Sequence, residues 1–326
     1  MKKVFITGVA GFIGFHTAKK FLNNDFYVVG IDDLNNHYDK KMKIKRIENL
    51  KNNFKDKFQF YKTDILDKTK IEKLLKKDYD LIINLCARAG VRYSVVNPFI
   101  YFQTNTIGVL NILEIMKKFK IETTLIQAST SSVYGNNNKV PFNENDKVDF
   151  PLSPYAASKK ASEEICFTYH YLYNLNILVF RFFTVYGTFG RPDMSIFRFI
   201  KWIAEDETLI LYGDGEQERD FTYVDDVSNA IFLALNFKGF DIINLGNDNP
   251  VKLNYVINQI ENLLNKKAKI NKFPAHPADV KRTCADIQKA KKILNWEPKT
   301  RIEEGLKIIT DWYLTERDWV KKIKLD

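Results

Sequence analysis

The opening of the chain carries its tightest constraint: KVFIT runs directly into GVAGFIG over residues 3–14. The first piece, short and rich in β-branched and aromatic residues, predicts a strand; the periodicity from Phe12 to Asn23 predicts a helix. Glycines at 8, 11 and 14 meet three separate needs. Gly8 permits a tight turn, Gly11 lets backbone N–H groups approach a pyrophosphate, and Gly14 lets the helix pack close to the strand. The helix start at Phe12, Ile13 and Gly14 then offers donors and a favourable dipole to the anion. Alone, the triplet is compatible with an ordinary glycine-rich turn. The strand before it, the helix after it and a second strand, FYVVGI, ending at Asp32 supply the context of a dinucleotide site. An acid at that strand end can accept the 2′ and 3′ hydroxyls of an adenosine ribose and would repel a 2′-phosphate, which favours NAD over NADP. Asp33 is the fallback for that role. Asp64 and Ile65, after the third strand, are placed to meet the adenine.

The same rhythm continues through the first two-thirds of the chain. FQFYK, DLIINL, TTLIQA and NILVFRF predict further strands, and helical periodicity covers Lys41–Asn53, Lys68–Lys77, Pro98–Lys118 and Pro154–Asn174. Near-continuous apolar strands separated by helices predict an α/β fold, a Rossmann-type doubly wound parallel sheet covered on both faces. After about Tyr186 the pattern changes: a helix in MSIFRFIKWIAED, a strand LILY, a turn GDGEQERD, a helix from Val224, a strand DIINL, then helices over Leu253–Asn265, KAKKILNW and Ile302–Tyr313. For 326 residues this suggests two units. Residues 1–185, with a return of about 221–246, are expected to form the dinucleotide-binding domain. Residues 186–220 and 247–326 would form a smaller C-terminal substrate lobe, sharing an interface with the first rather than a tether.

Composition excludes several classes. The net charge of +10 could suggest a polyanion partner, yet acids and apolar residues interrupt the lysines in KKMKIKRIENLKNNFKDK. Solvated helix faces explain them better, an acidic small molecule comes second, and nucleic acid is not expected. Three isolated cysteines, Cys86, Cys166 and Cys284, argue for a reducing compartment and against disulfides or structural zinc. The apolar run in MKKVFITG breaks too early for a signal peptide, and no stretch approaches the ~20 residues of a membrane span. The expected setting is the cytoplasm, without membrane insertion.

SPYAASKK, at Ser153–Lys160, sets Tyr155 and Lys159 one helical turn apart. A free phenol titrates near 10 and is a poor base at neutral pH. Positive charge from Lys159 and an oxidised nicotinamide would favour phenolate, which can take a hydroxyl proton while the carbon beneath it passes hydride to the cofactor. Upstream, a strand ends in four hydroxyl residues, Ser129–Ser132. These suit a hydroxyl-capped turn, or the hydrogen bonding of a substrate oxygen beside a dinucleotide. The four histidines offer no metal or triad arrangement.

Together, the glycine triplet, the strand-end hydroxyls, Tyr155-x-x-x-Lys159, RFFTVYG and RDFTYVDDV resemble the extended short-chain dehydrogenase/reductases acting on nucleotide sugars. The resemblance runs from Lys3 to about Trp312. Within that family AGVRYSVVNP, TSSVYG and RFFTVYGTFGRPDM are most similar to the UDP-glucuronate 4-epimerases. The resemblance implies tightly held NAD and a UDP-sugar oxidised and re-reduced at C4. It also implies roles for Thr130 and Ser132 at the reacting hydroxyl, and for Thr184 and Arg92 along the sugar and phosphate pocket. Arg219 would meet the diphosphate and Asp279 the uridine ribose, although His276-Pro277-Ala278-Asp279 lacks the glycine that relatives often carry there. Homodimerisation through the helices around Pro98–Lys118 and Pro154–Asn174 is a further implication, as is supply of a surface-polysaccharide precursor.

Arg191, with Ser131, is the candidate holder of a sugar carboxylate. A 4-keto uronic acid is a β-keto acid and loses CO2 when its carboxylate aligns with the carbonyl π system; bidentate pairing restricts that torsion. The competing reading is a loop salt bridge between Arg191 and Asp193. Related dehydratases carry an acid just before VYG where this chain has Ser131-Ser132, which argues against dehydration and less strongly against decarboxylation. Another UDP-sugar 4-epimerase, acting on UDP-glucose or a UDP-N-acetylhexosamine, and a UDP-glucuronate decarboxylase remain the alternatives. A silent NAD-binding regulator would have no need of the tyrosine, lysine and hydroxyls.

Overall fold

Strands that are apolar along their whole length cannot leave a face in water, and here none of the central ones does. The computed structural model describes residues 1–76, 78–137, 139–275 and 280–325. Its strands are β1 (Lys3–Thr7), β2 (Tyr27–Asp32), β3 (Phe58–Lys62), β4 (Leu81–Asn84), β5 (Leu125–Thr130) and β6 (Ile177–Phe182). There follow β7 (Thr184–Tyr186), β8 (Thr208–Tyr212), β9 (Glu218–Tyr223), β10 (Phe240–Leu245), β11 (Pro250–Lys252) and β12 (Lys269–Phe273). Seven of them form one parallel sheet in the order β10-β6-β5-β4-β1-β2-β3. β4, β5 and β6 are buried throughout, as expected when helices cover both faces. The order reverses between β1 and β4, which opens a crevice beyond their C-terminal ends.

Helices α1 (Phe12–Leu22), α2 (Lys40–Asn53), α3 (Lys68–Leu75), α4 (Val91–Val96), α5 (Pro98–Phe102), α6 (Gly108–Phe119) and α7 (Pro154–Tyr173) occupy the first part of the chain. Later come α8 (Ser195–Ala204), α9 (Val224–Leu233), α10 (Leu253–Leu264), α11 (Gln288–Leu294), α12 (Ile302–Thr315) and α13 (Arg317–Val320). β10 joins β6 at the edge of the main sheet, and α9 packs on α1. A separate apolar core forms from α8, α10 and α12 around β8 and β9, joined by Tyr38 and Met42 from the first part of the chain. Among the described residues no helix is long and apolar enough to cross a membrane.

Two expectations need correction. The helix expected over Pro98–Lys118 is broken: α5 gives way to a π-turn at Gln103–Ile107 before α6 begins. Part of GDGEQERD is strand, because Glu218–Tyr223 pairs with β7 on one side and β11 on the other. β7, β11 and β12 are too short or too polar for alternation to reveal them.

A buried ion pair fastens α7 to the sheet. Arg181, in β6, donates from Nε to Glu163 Oε1 at 2.9 Å and from Nη2 to Oε2 at 2.8 Å. Ser129 adds a bond to the same carboxylate at 2.5 Å, so this first of the strand-end hydroxyls faces the core. Removing one partner leaves a buried charge without compensation. Glu163→Gln is therefore expected to cost about 3–5 kcal/mol in chemical unfolding. Glu163→Leu combined with Arg181→Met should recover most of that loss, which a double-mutant comparison will measure.

Candidate active site

At the crevice, the phosphate loop leaves no room for side chains at its glycines. A Cβ on Gly8, whose φ is +68°, would lie 2.8 Å from the Leu85 and Cys86 backbone, and one on Gly14 would lie 2.1 Å from the Gly8 oxygen. Gly11 N donates to Gly8 O at 2.9 Å and caps α1, so the N–H groups of Phe12, Ile13 and Gly14 begin the helix without intrahelical acceptors. At the end of β2, Asp32 accepts from Ala10 N at 3.2 Å and Leu34 N at 2.8 Å, with Lys43 Nζ at 3.5 Å. Burial raises its pKa against the pull of Lys43. Asp33 accepts instead from Arg88 Nη2 at 3.2 Å. Asp64 is exposed and closes a turn by accepting from Leu66 N at 2.9 Å. The Ile65 side chain is buried against Gly108, and its carbonyl accepts from Asn111 Nδ2 at 3.2 Å. Helix-end donors, a cradle that any Cβ would fill and a strand-end acid together fit a dinucleotide.

α7 starts where its sequence says it should. Ser153 accepts from Ala156 N at 3.2 Å and Pro154 occupies the first turn. The π-turn then sets the helix against the sheet. Asn105 Nδ2 donates to Ser158 Oγ at 2.9 Å and to Arg88 O at 2.9 Å, and Ser158 Oγ donates to Tyr155 O at 2.7 Å. Tyr155 thus lies beside Thr130, to which its hydroxyl is hydrogen-bonded. Thr130 Oγ1 in turn donates to Ser132 Oγ at 3.2 Å, and Ser131 opens the turn between them. Burial pushes the Tyr155 phenol above its ordinary range, while the Thr130 bond and the charge of Arg191 pull it down.

Arg191 is a cation acting on Tyr155, and Lys159 is buried with its Nζ donating to Ala128 O at 2.9 Å. Burial lowers the Lys159 pKa to about 8. Gln127 Nε2 shares the Ala128 carbonyl at 2.9 Å, and Gln127 Oε1 accepts from Asn84 Nδ2 at 2.7 Å, so the lysine is tied into β4 and β5.

Arg191 has the salt bridge that was its competing reading and also lies at the site. Nε donates to Asp193 Oδ1 at 3.0 Å and Nη2 to Oδ2 at 2.5 Å, with Ala89 O a further acceptor at 3.3 Å. Nη1 has no hydrogen-bond partner among the described residues, so one corner of the fork remains for a ligand. Thr184, Arg191, Gly187, Met194 and Phe12 line a common pocket. Arg92 sits farther out, its guanidinium 4.0 Å from the Tyr212 ring centroid. Arg219, on β9, donates to Glu218 O at 2.9 Å. Asp279 lies outside the described residues.

Sequence reasoning missed several neighbours. His37 Nε2 meets Ala89 O at 2.7 Å, and burial followed by the charge of Arg191 lowers its pKa. Tyr101 is buried 6.0 Å, centroid to centroid, from Tyr155, with no partner for its hydroxyl among the described residues. Lys43 and Arg46 are buried, although the lysine-rich stretch containing them reads as a solvated face. Only Asn105 left a signal: QTNTI is a polar break in an otherwise apolar run, and π-turns cluster at functional sites.

The Lys159 pKa makes a pH prediction for the dinucleotide-free protein. Its native value of about 8 lies below the ordinary 10.5. Between those values the unfolded chain holds a proton that the native chain lacks. Stability from this group is therefore complete above 10.5 and is lost as pH falls through about 8. The stability difference between Lys159→Met and wild type should change across that window, with wild type gaining as pH rises, in denaturant titrations at several pH values. A pH-independent difference would contradict it.

The GDP-mannose 4,6 dehydratase family model matches residues 5–309. The chain is 48% identical over 322 residues to a UDP-glucuronate 4-epimerase of Thermodesulfobacterium geofontis, covering 98% of each chain. It is similar, with a TM-score of 0.90 and 36% identity, to the crystal structure of UDP-glucuronic acid 4-epimerase from Bacillus cereus in complex with UDP-glucuronic acid and NAD, covering 96% of this chain and 99% of that one. A UDP-glucose 4-epimerase from Thermotoga maritima, bound to UDP-glucose, follows at TM-score 0.88 and 29% identity, with coverages of 97% and 99%. The chain belongs to the GDP-mannose 4,6 dehydratase family, a branch of the extended short-chain dehydrogenase/reductases.

Proposed function

We propose that this protein is an NAD-dependent UDP-glucuronate 4-epimerase, interconverting UDP-glucuronate and UDP-galacturonate. The observation that carries the reading is the placement of Arg191: its guanidinium lines a pocket with Thr184 and acts electrostatically on the Tyr155 phenol, so a cation suited to a sugar carboxylate stands near a proton-transfer group. The donors at Gly11–Gly14 and the acid Asp32 would hold NAD. Bound there, NAD supplies reversible hydride transfer at C4.

The chain's own residues do the rest. Thr130 and Ser132 hold the C4 hydroxyl against Tyr155 Oη, which takes its proton and later returns it. Turned from Ser132 toward the phenol, the single Thr130 O–H favours the ionised form once further positive charge arrives. The Nη1 corner of Arg191, with Ser131, grips the sugar carboxylate away from alignment with the C4 carbonyl, while Asp193 fixes the other edge of the fork. Ser131-Ser132 supplies no carboxyl to abstract the C5 proton, which supports epimerisation over the dehydration that names the family model. Arg92 and Arg219 lie farther along, where a diphosphate would extend.

The setting follows from the same reading. Free Cys86, Cys166 and Cys284 support a reducing cytoplasm, and an activated uronic acid is a donor for acidic surface polysaccharide. A homodimer is supported by apolar side chains left in water on adjoining helices: Val96, Phe99 and Phe102 on α4 and α5, and Tyr171 and Leu172 on α7. A second copy covering that face would bury them.

The decisive test is a product assay with UDP-glucuronate and no added NAD. UDP-galacturonate is expected; UDP-xylose with released CO2 would replace the reading with decarboxylation. Tyr155→Phe should lower turnover by about 10²–10⁴-fold with NAD still released on denaturation; undiminished turnover would remove Tyr155 from the chemistry. Sedimentation should give twice the mass of one chain, and Phe99→Asp with Tyr171→Asp should give a folded monomer. Unchanged sedimentation of that variant would place the interface elsewhere.

A further inference from the structure

Arg46 is fully buried on α2, and none of the described carboxylates pairs with it. A guanidinium has five N–H donors, and all are used. Nη1 donates to Ala10 O at 2.9 Å and to the Tyr38 hydroxyl at 2.6 Å. Nε donates to Phe189 O at 3.1 Å, and Nη2 donates to Phe189 O at 2.7 Å and Gly190 O at 3.2 Å. The acceptors fall in two places. Ala10 lies inside the phosphate loop; Phe189 and Gly190 immediately precede Arg191. The Tyr38 ring lies near both guanidinium groups, its centroid 5.5 Å from Arg46 Cζ and 5.7 Å from Arg191 Cζ.

A buried cation bonded only to neutral oxygens has its charge uncompensated, which is costly away from water. Nothing in such a bonding pattern is needed merely to close a loop, since neutral donors would serve. The Asp32 carboxylate accepts from Ala10 N at 3.2 Å but also serves Lys43 and Leu34, so a further compensating anion has its place in the phosphate loop that holds Ala10. An anion there stabilises Arg46 in the geometry that also fixes Phe189 and Gly190, and through them the backbone that carries Arg191.

We propose that Arg46 is a positioning residue that couples dinucleotide occupancy of the phosphate loop to the placement of Arg191, so that preference for an acidic sugar depends on the bound cofactor. This rests on the function proposed above. The coupling is reciprocal: if NAD strengthens binding of the acidic sugar, the acidic sugar strengthens binding of NAD by the same factor.

The test measures NAD affinity in the presence of saturating UDP-glucuronate or UDP-glucose, and the affinity of each sugar nucleotide with and without NAD. In wild type, UDP-glucuronate should tighten NAD binding about 5- to 100-fold more than UDP-glucose does. In Arg46→Met that difference should vanish, and the preference for UDP-glucuronate should fall toward that of Arg191→Ala. Arg46→Lys keeps the charge but not the five-donor fork, and should show intermediate coupling. The wild-type measurements stand even if Arg46→Met does not fold. A wild-type acid preference that is independent of NAD, or that survives in both folded Arg46 variants, overturns the coupling alone. A wild-type enzyme with no acid preference overturns the proposed function as well.

Discussion

The cofactor half of the molecule depends on a steric constraint between backbones: a methyl group at Gly14 would sit 2.1 Å from the Gly8 carbonyl oxygen. Only glycine lets α1 approach β1 so closely, and the approach aims the free helix-start N–H groups into the crevice. The parallel sheet does the rest of the gathering. Because its strands share one direction, Gly8, Asp32, Cys86 and Thr130 arrive at the same edge from distant stretches of chain. Had one strand run the other way, its terminal residues would lie across the molecule from the phosphate loop.

At that edge the titratable groups are held near the limits of their charged forms. Burial raises the Tyr155 phenol and lowers Lys159, so in each case it works against the charged form. Thr130 and Arg191 partly oppose that effect for the tyrosine. Asp193 restrains Arg191 without using its Nη1 corner. Arg46 lies one layer outward, a buried cation bonded to the Ala10 carbonyl and to those of Phe189 and Gly190.

What was readable in the sequence was local. The glycine spacing, the acid at the end of FYVVGI, the Ser153-Pro154 start of α7 and the hydroxyls closing β5 are each specified within a few residues of themselves. Their elements appear with ends within a few residues of those expected. The misreadings share a cause. Lys43 and Arg46 sit in a stretch whose lysines suggest solvent, yet Arg46 bonds a loop 143 residues away. The strand beginning at Glu218 is polar and takes its identity from β7 and β11 rather than from alternation. The π-turn at Gln103–Ile107 is held by Asn105 reaching Ser158, 53 positions on.

The sequence by itself determined the doubly wound class, the dinucleotide loop and the setting of Tyr155 and Lys159 one helical turn apart, because backbone conformation, helix capping and apolar periodicity act between near neighbours. Only the tertiary structure decided which charges meet. It set the Arg191 charge against Tyr155, gave Lys159 to the Ala128 carbonyl, and buried Arg46 between two loops. Coulomb interactions and desolvation depend on distances through space, and residues far apart in the chain acquire those distances only when the sheet and helices have packed.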